Sequence, residues 1–360
     1  MPKVEEGLAA GAIGGNEGGT YAGKVYVLDV LEPAGEWSAA AARSTLLGEA
    51  AGDYAGIALS WVGDTTGGGH DTLVIGGWSN DEGGIGAGKA YVYAEGVPEG
   101  VTSLADAPTI VIGMGSASEV KHGAPEAGDG VGSFIRPAGD PNGDGLADFW
   151  LGVNGADDGG ADAGAAAFFA GPLPEGVVAL RDADAMIVGA VTLQYVGDYV
   201  TGIGDFTGDG VDDAAISGEM DVTGTIWLLP GPFQSGTIVD AEVAVYGEAE
   251  GDQAGASIAG AGDTNADGFA DFVVGAYTND AGGLDGGAAY LVRGPLAAGA
   301  HTLAEATLRW VAEVEGDGAG RQVAGGGDYN GDGLLDLAFG APYADMGGPF
   351  SGTAYVALGE

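Results

Sequence analysis

Short apolar runs recur along the chain, as in Ala256-Ser257-Ile258-Ala259, Phe272-Val273-Val274 and Ala306-Thr307-Leu308-Arg309-Trp310, each bounded by Gly, Asp or Pro. Runs of about four to eight residues with such boundaries predict strands rather than helices. The runs are periodic on a larger scale. A corner of Gly with a small residue closes an apolar run at Gly11-Ala12, Gly76-Gly77, Gly152-Val153, Ser217-Gly218, Gly275-Ala276 and Gly340-Ala341, at intervals of 58 to 76 residues. Twelve residues after five of the six corners, a Gly opens an aromatic-bearing run, as in Gly23 to Val27, Gly88 to Val92, Gly164 to Phe169, Gly287 to Val292 and Gly352 to Ala357. The remaining repeat shortens that gap and opens at Gly224.

Each unit thus offers a run before an acidic loop, one into the corner, the aromatic run and an outer run. Four antiparallel strands per unit make a propeller blade, so the chain is expected to be all-β, a β-propeller of four-stranded antiparallel blades in one domain over residues 1–360. The units fall at about 1–50, 51–115, 116–192, 193–248, 249–314 and 315–360. The first lacks its leading strand and the last its outer strand, so six blades are expected, with seven as the alternative. One stretch, Trp37 to Leu47 with its run of Ala, reads as helix-like.

Twelve residues before the corner, four units carry one nine-residue pattern. It runs Asp140, Asn142, Asp144, Gly145, Leu146, Asp148; then Asp205, Thr207, Asp209, Gly210, Val211, Asp213; then Asp263, Asn265, Asp267, Gly268, Phe269, Asp271; and Asp328, Asn330, Asp332, Gly333, Leu334, Asp336. Oxygens at alternate positions 1, 3 and 5, the position 7 carbonyl and the position 9 carboxylate can converge on one Ca²⁺, which takes about six to eight oxygen ligands. The Gly at position 6 permits the sharp turn. A helix–loop–helix site would place Glu at position 12, whereas Leu151, Ile216, Val274 and Phe339 stand there and continue a strand. About four Ca²⁺ sites in strand-connecting loops are therefore expected. The second unit keeps the frame from Asp64 to Thr72, but Gly68 and Thr72 replace two carboxylates, and no tight site is expected there.

Charge sharpens this picture. Ten basic against 53 acidic residues give a net charge of −43, which repels phosphate backbones and anionic membrane surfaces. Nucleic acid is excluded as a partner on these grounds, and bound cations would relieve the self-repulsion. Cysteine is absent, so stapling has to come from elsewhere than disulfides. No stretch is long and apolar enough to insert in a membrane, and a monomer is expected. The start at Met1 carries no export signal and falls inside a loop of the repeat, so a trimmed or longer parent chain, secreted or at the cell surface, is expected.

In a four-stranded blade the loops alternate between two faces. Opposite the acidic loops, five residues after the corners, stand Asn16, Asp81, Asp157, Asp280 and Asp345, with Trp78, Tyr277 and Tyr343 nearby. Acidic groups among aromatics can hold a protein or glycan partner, although turn residues of this type also serve purely local roles. No Gly-x-Ser-x-Gly element or zinc spacing accompanies His70, His122 and His301, so no catalytic residue is assigned and no enzyme is expected.

These motifs resemble the FG-GAP repeat of integrin alpha chains and their bacterial relatives, through the Gly-containing first strand (Gly255-Ala256, Gly320-Arg321), the acidic loop, the Gly340-Ala341-Pro342 corner and the Gly-x-x-Tyr strand. The usual Phe-Gly of the first strand is Ala-Gly at three units and Val-Gly at two, most corners lack Pro, and no Arg-Gly-Asp tripeptide or adhesion insertion is seen. The resemblance implies a Ca²⁺-holding propeller used in extracellular adhesion or recognition of a protein or carbohydrate. A structural spacer in a larger surface protein is the alternative reading, and a hydrolase a more remote one.

Overall fold

A computed structural model describes residues 7–29, 38–113, 128, 130–192, 194–197, 199–218, 223–348 and 351–359. Among them the fold is all-β, with 26 strands, five single-turn 3-10 segments and no α-helix. The sheets are antiparallel at their centres and consistent with propeller blades. His122 and Trp37 lie outside the described residues.

The chain packs as two compact units. One comprises Met1–Asp140, Asp144–Thr192 and Gln234–Gly236, and the other Pro141–Gly143, Leu193–Phe233 and Thr237–Glu360. In the first, β1 (Leu8–Gly11), β2 (Lys24–Leu28) and β3 (Ser44–Leu47) form one sheet. A second sheet contains β4 (Leu59–Trp61), β5 (Leu73–Gly77) and β6 (Lys89–Tyr93); β7 (Gly100–Ser103) then leads to its outer strand, β8 (Thr109–Ile112). The third is built from β9 (Ile135–Gly139), β10 (Asp148–Val153) and β11 (Ala165–Phe169); β12 (Gly176–Ala179) leads to its outer strand, β13 (Ala185–Val188).

In the second unit, β14 (Tyr199–Gly204), β15 (Asp213–Gly218), β16 (Thr225–Leu229) and the outer β18 (Val243–Tyr246) form one sheet; the short β17 (Gly236–Thr237), between β16 and β18 in the chain, is not part of it. The next sheet holds β19 (Ala254–Gly262), β20 (Asp271–Ala276) and β21 (Ala288–Val292), with β22 (Gly299–Thr302) preceding the outer β23 (Leu308–Val311). The last has three strands, β24 (Gln322–Gly327), β25 (Asp336–Ala341) and β26 (Thr353–Ala357).

The central strands β5, β10 and β20 are buried at every position, which explains why they read as unbroken apolar runs rather than as alternating ones. Side chains of these strands and of the third strands beside them fill the cores, among them Phe149, Leu151 and Phe169 in the first unit and Phe272, Val274 and Tyr290 in the second. The third strands β6, β11 and β21 are equally buried, whereas β26, with no outer strand beside it among the described residues, alternates toward solvent.

An unforeseen feature ties neighbouring sheets within each unit. After its third strand the chain runs back and lays a short strand parallel to the outer strand of the preceding sheet: β7 on β3, β12 on β8 and β22 on β18. A single 3-10 turn then leads into the sheet's own outer strand. The turns Leu104–Asp106, Leu180–Asp182 and Leu303–Glu305 each bury their first Leu, and Ser103 and Thr302 cap the first and last of these by accepting the N–H two residues on. The helix-like reading of Trp37 to Leu47 is corrected accordingly. Its described part is a 3-10 turn, Ala39–Ala41, capped by Ser38, and then strand β3. Three alanines give only one turn, short of what propagates a helix, and the β-sheet partner claims Ser44 to Leu47. No helix among the described residues is long and apolar enough to cross a membrane.

Candidate functional site

Each acidic loop joins the first to the second strand of its sheet, and its local geometry follows from its residues. The position 1 carboxylate turns back into its own loop. Asp140 accepts from the N–H of Asp144 (3.0 Å) and Gly145 (2.9 Å). Asp205 accepts from Gly208, Asp209 and Gly210, Asp263 from Asp267 and Gly268, and Asp328 from Gly331, Asp332 and Gly333. The Gly333 N–H foremost, against slight burial and together with the Gly331 and Asp332 N–H groups, holds the Asp328 carboxyl below its usual range. The position 5 carboxylates accept the position 7 N–H: Leu146 to Asp144, Val211 to Asp209, Phe269 to Asp267 and Leu334 to Asp332. At position 3, the Asn265 and Asn330 amides donate to Asp267 and Asp332, which draws positions 3 and 5 together.

Position 9 has a second role that the sequence did not disclose. The carboxylates of Asp148, Asp213, Asp271 and Asp336 are buried and brace the loop against the end of the third strand, where Gly171, Gly231, Gly294 and Gly359 donate their N–H groups at 2.8 to 3.1 Å. Their other oxygens accept N–H groups of the loop's start in three cases: Phe206 and Thr207 to Asp213, Thr264 to Asp271, and Tyr329 to Asp336. Asp148 is the exception. Its Oδ2 is buried without a hydrogen-bond partner, and burial, opposed by the Gly171 N–H and reinforced by the charges of Asp144 and Asp140, pushes its carboxyl up to about 7.

The loops also hold one another. Ala147 N–H donates to the carbonyl of Asp64, and Ala270 N–H to that of Asp205, so position 8 of one loop is tied to position 1 of the loop before it in the same unit. The apolar side chain at position 7 covers the preceding loop: Phe269 lies over Gly208, where a Cβ would come within 2.3 Å of its ring, and Leu146 lies over Gly67. In the loop from Asp64 to Thr72, Asp64 keeps the position 1 pattern, accepting from Thr66, Gly67 and Gly69, while Thr72 meets Thr65 hydroxyl to hydroxyl at 2.7 Å in place of the carboxylate brace.

The last loop sits between β24 and β25, with the Gly340-Ala341 corner ending β25 and Gly352 opening β26. Residues 319–357 match the family model of the FG-GAP repeat. No curated protein matches the chain. The matched FG-GAP repeat contains Asp328, Asn330, Asp332, Leu334 and Asp336, and the other three loops reproduce its register and hydrogen bonds.

A calcium ion in an FG-GAP loop would draw on positions 1, 3 and 5, the position 7 carbonyl and position 9, all of them oxygen donors suited to a hard cation. The orphaned Oδ2 of Asp148 beside Asp140 and Asp144 fits such an ion, since a buried carboxylate oxygen without a partner is costly. The side chains otherwise face their own backbone, and among the described residues no three carboxylates or histidines already converge as a metal cluster.

On the other face the acidic residues are turn builders. Asn16, Asp81, Asp157 and Asp280 each accept the N–H five residues on, from Tyr21, Gly86, Asp162 and Asp285. Asp345 belongs to the matching turn, where Gly348 N–H donates to its carbonyl. The aromatics of this face differ in exposure. Trp78 and Tyr343 are partly exposed, and the Arg321 guanidinium lies 4.4 Å over the Tyr277 ring. Of the histidines, His301 contacts the Ala297 carbonyl and Glu305 next to its own 3-10 turn, a local arrangement with no nucleophile attached.

Proposed function

We propose that the chain is a calcium-stabilised recognition module of an extracellular or cell-surface protein, a β-propeller of six such sheets that binds a protein or carbohydrate partner without catalysing a reaction. The observation that carries the metal half is the single register of the four loops at Asp140, Asp205, Asp263 and Asp328, each presenting the same sequence of oxygen donors. Three carboxylates per loop repel one another unless a cation neutralises them. About four Ca²⁺ ions stabilise the loops, while the opposite face, free of that duty, presents aromatic side chains to a partner. FG-GAP repeats are typical of extracellular proteins, which supports the location.

Calorimetric titration of Ca²⁺ into the EDTA-dialysed chain tests the metal half: binding of about four ions supports it, and the absence of any binding heat and of any spectral change contradicts it. Retention of a specific ligand in pull-downs and on glycan arrays, at millimolar Ca²⁺, tests the recognition half. Inertness toward both kinds of ligand would favour a rigid spacer instead.

A further inference from the structure

Tyr21 and Tyr54 both occupy left-handed backbone slots that recur along the repeats. The turn opposite the acidic loops requires a left-handed residue five positions after its Asn or Asp. The second, third and fifth repeats put Gly86 (φ +66°), Asp162 (φ +53°) and Asp285 (φ +52°) there, which adopt that conformation readily, whereas the first puts Tyr21 at φ +58°. Two residues before the first-strand Gly a second left-handed slot recurs, filled by Gly130, Gly318, Gln253 and Tyr195 elsewhere and by Tyr54 at φ +52° here. A bulky residue at positive φ is a backbone outlier, and such strain concentrates where a side chain is wanted for its own sake.

The two strained tyrosines meet. Their rings stack at 5.8 Å between centroids and 27° between planes, and the Tyr54 ring continues to Trp78 at 6.4 Å and 41°. The array is not core: Tyr21 is 53% exposed and Trp78 37%. The peptide N–H of Tyr54 donates to the Tyr21 carbonyl at 3.0 Å, so the two slots are fixed to each other by backbone as well as by rings. Exposed Thr20 adds a hydroxyl next to Tyr21 in sequence, while Asp81 and Glu82, near Trp78 in sequence, are engaged by the Gly86 N–H and the Lys89 ammonium.

We infer that Tyr21, Tyr54 and Trp78 form a stacking platform for a neutral polysaccharide chain, an inference that rests on the recognition reading above. Tyr21 and Trp78 are the open rings and half-buried Tyr54 holds them in series; open aromatic rings suit the C–H faces of sugars, which need apolar flat contact. A net charge of −43 disfavours an acidic glycan, so the ligand is uncharged.

The test is electrophoresis of the full chain, in millimolar Ca²⁺, through native gels containing hydroxyethylcellulose, xyloglucan or galactomannan, with polygalacturonate as the acidic comparison. Retardation by at least one neutral polysaccharide is expected, weakened at least tenfold in Tyr21→Gly and Trp78→Ala and unchanged in Tyr246→Ala, an exposed tyrosine of the other unit. The melting temperature separates function from structure: because Gly fits the left-handed slot, Tyr21→Gly is expected to lose binding without lowering it. A lowered melting temperature with undiminished binding would make the rings structural and overturn the proposal. So would retention by polygalacturonate alone, or by no neutral polysaccharide. In those cases a protein partner found by pull-down would leave the broader recognition reading standing, so the two failures are distinct.

Discussion

Gly171 donates its backbone N–H to Oδ1 of Asp148 at 2.8 Å, and a Cβ placed on Gly171 would lie 2.4 Å from the carbonyl oxygen of Thr65 in the neighbouring loop. The same glycine thus braces one acidic loop and seats against another. Gly171→Ala has to displace backbone on one side or the other, which is expected to cost about 1–3 kcal/mol, read by urea denaturation. A loss below about 0.5 kcal/mol, the usual range for a surface change, would mean that the loops are not packed as described.

Positions 5 and 9 of a loop should separate in their effects. Asp213 is buried and accepts N–H groups from Phe206, Thr207 and Gly231, whereas Asp209 stands on the loop's exposed side and takes only the Val211 N–H. In EDTA, Asp213→Ala is expected to destabilise by about 2–3 kcal/mol through buried donors left unpaired. Asp209→Ala is expected to change little in EDTA and to lose its loop's share of any Ca²⁺ response. Equal losses for the two variants in EDTA would contradict the division.

The raised Asp148 carboxyl gives a pH dependence with a definite sign. Its folded value near 7 lies above its ordinary 3.8, so the folded state holds a proton that the unfolded chain has released, and the stabilisation present below pH 3.8 is lost as pH rises toward 7. In EDTA the melting temperature should fall across that interval more steeply for the natural chain than for Asp148→Asn. Identical slopes would show that Asp148 does not titrate in this window.

The clasps between sheets make a further prediction. Leu303 is buried at the start of the 3-10 turn that follows β22, the strand paired with β18 of the preceding sheet. Leu303→Ala is expected to cost about 2–4 kcal/mol and to increase amide exchange in both β18 and β22. Faster exchange confined to the sheet that contains β23 would contradict a clasp.

The strands, corners and loop register were legible in the sequence because each depends on local chemistry: apolar runs such as Phe272-Val273-Val274, a Gly that turns the chain, alternate Asp and Asn. The clasp was not read, though Ser103-Leu104-Ala105-Asp106-Ala107 and Thr302-Leu303-Ala304-Glu305-Ala306 repeat one pattern. Its strand is too short to show a period and its partner belongs to the preceding repeat. The brace at Asp148, Asp213, Asp271 and Asp336 was invisible for another reason, since backbone N–H donors such as that of Gly231 leave no residue signature. At Asp81, Asp157 and Asp280 the sequence left open partner-facing and turn-building roles, and the N–H bonds to Gly86, Asp162 and Asp285 supply the second.

Thermal unfolding in EDTA and then in millimolar Ca²⁺, beside Asp144→Ala and Asp267→Ala, tests most directly whether the acidic loops are calcium staples. At about 100 times the dissociation constant each independent site should add about 2.7 kcal/mol, so the melting temperature should rise clearly with Ca²⁺ and rise less in each variant. An unchanged melting temperature for the natural chain across that range would contradict calcium stabilisation and leave the four loops as hydrogen-bonded turns only.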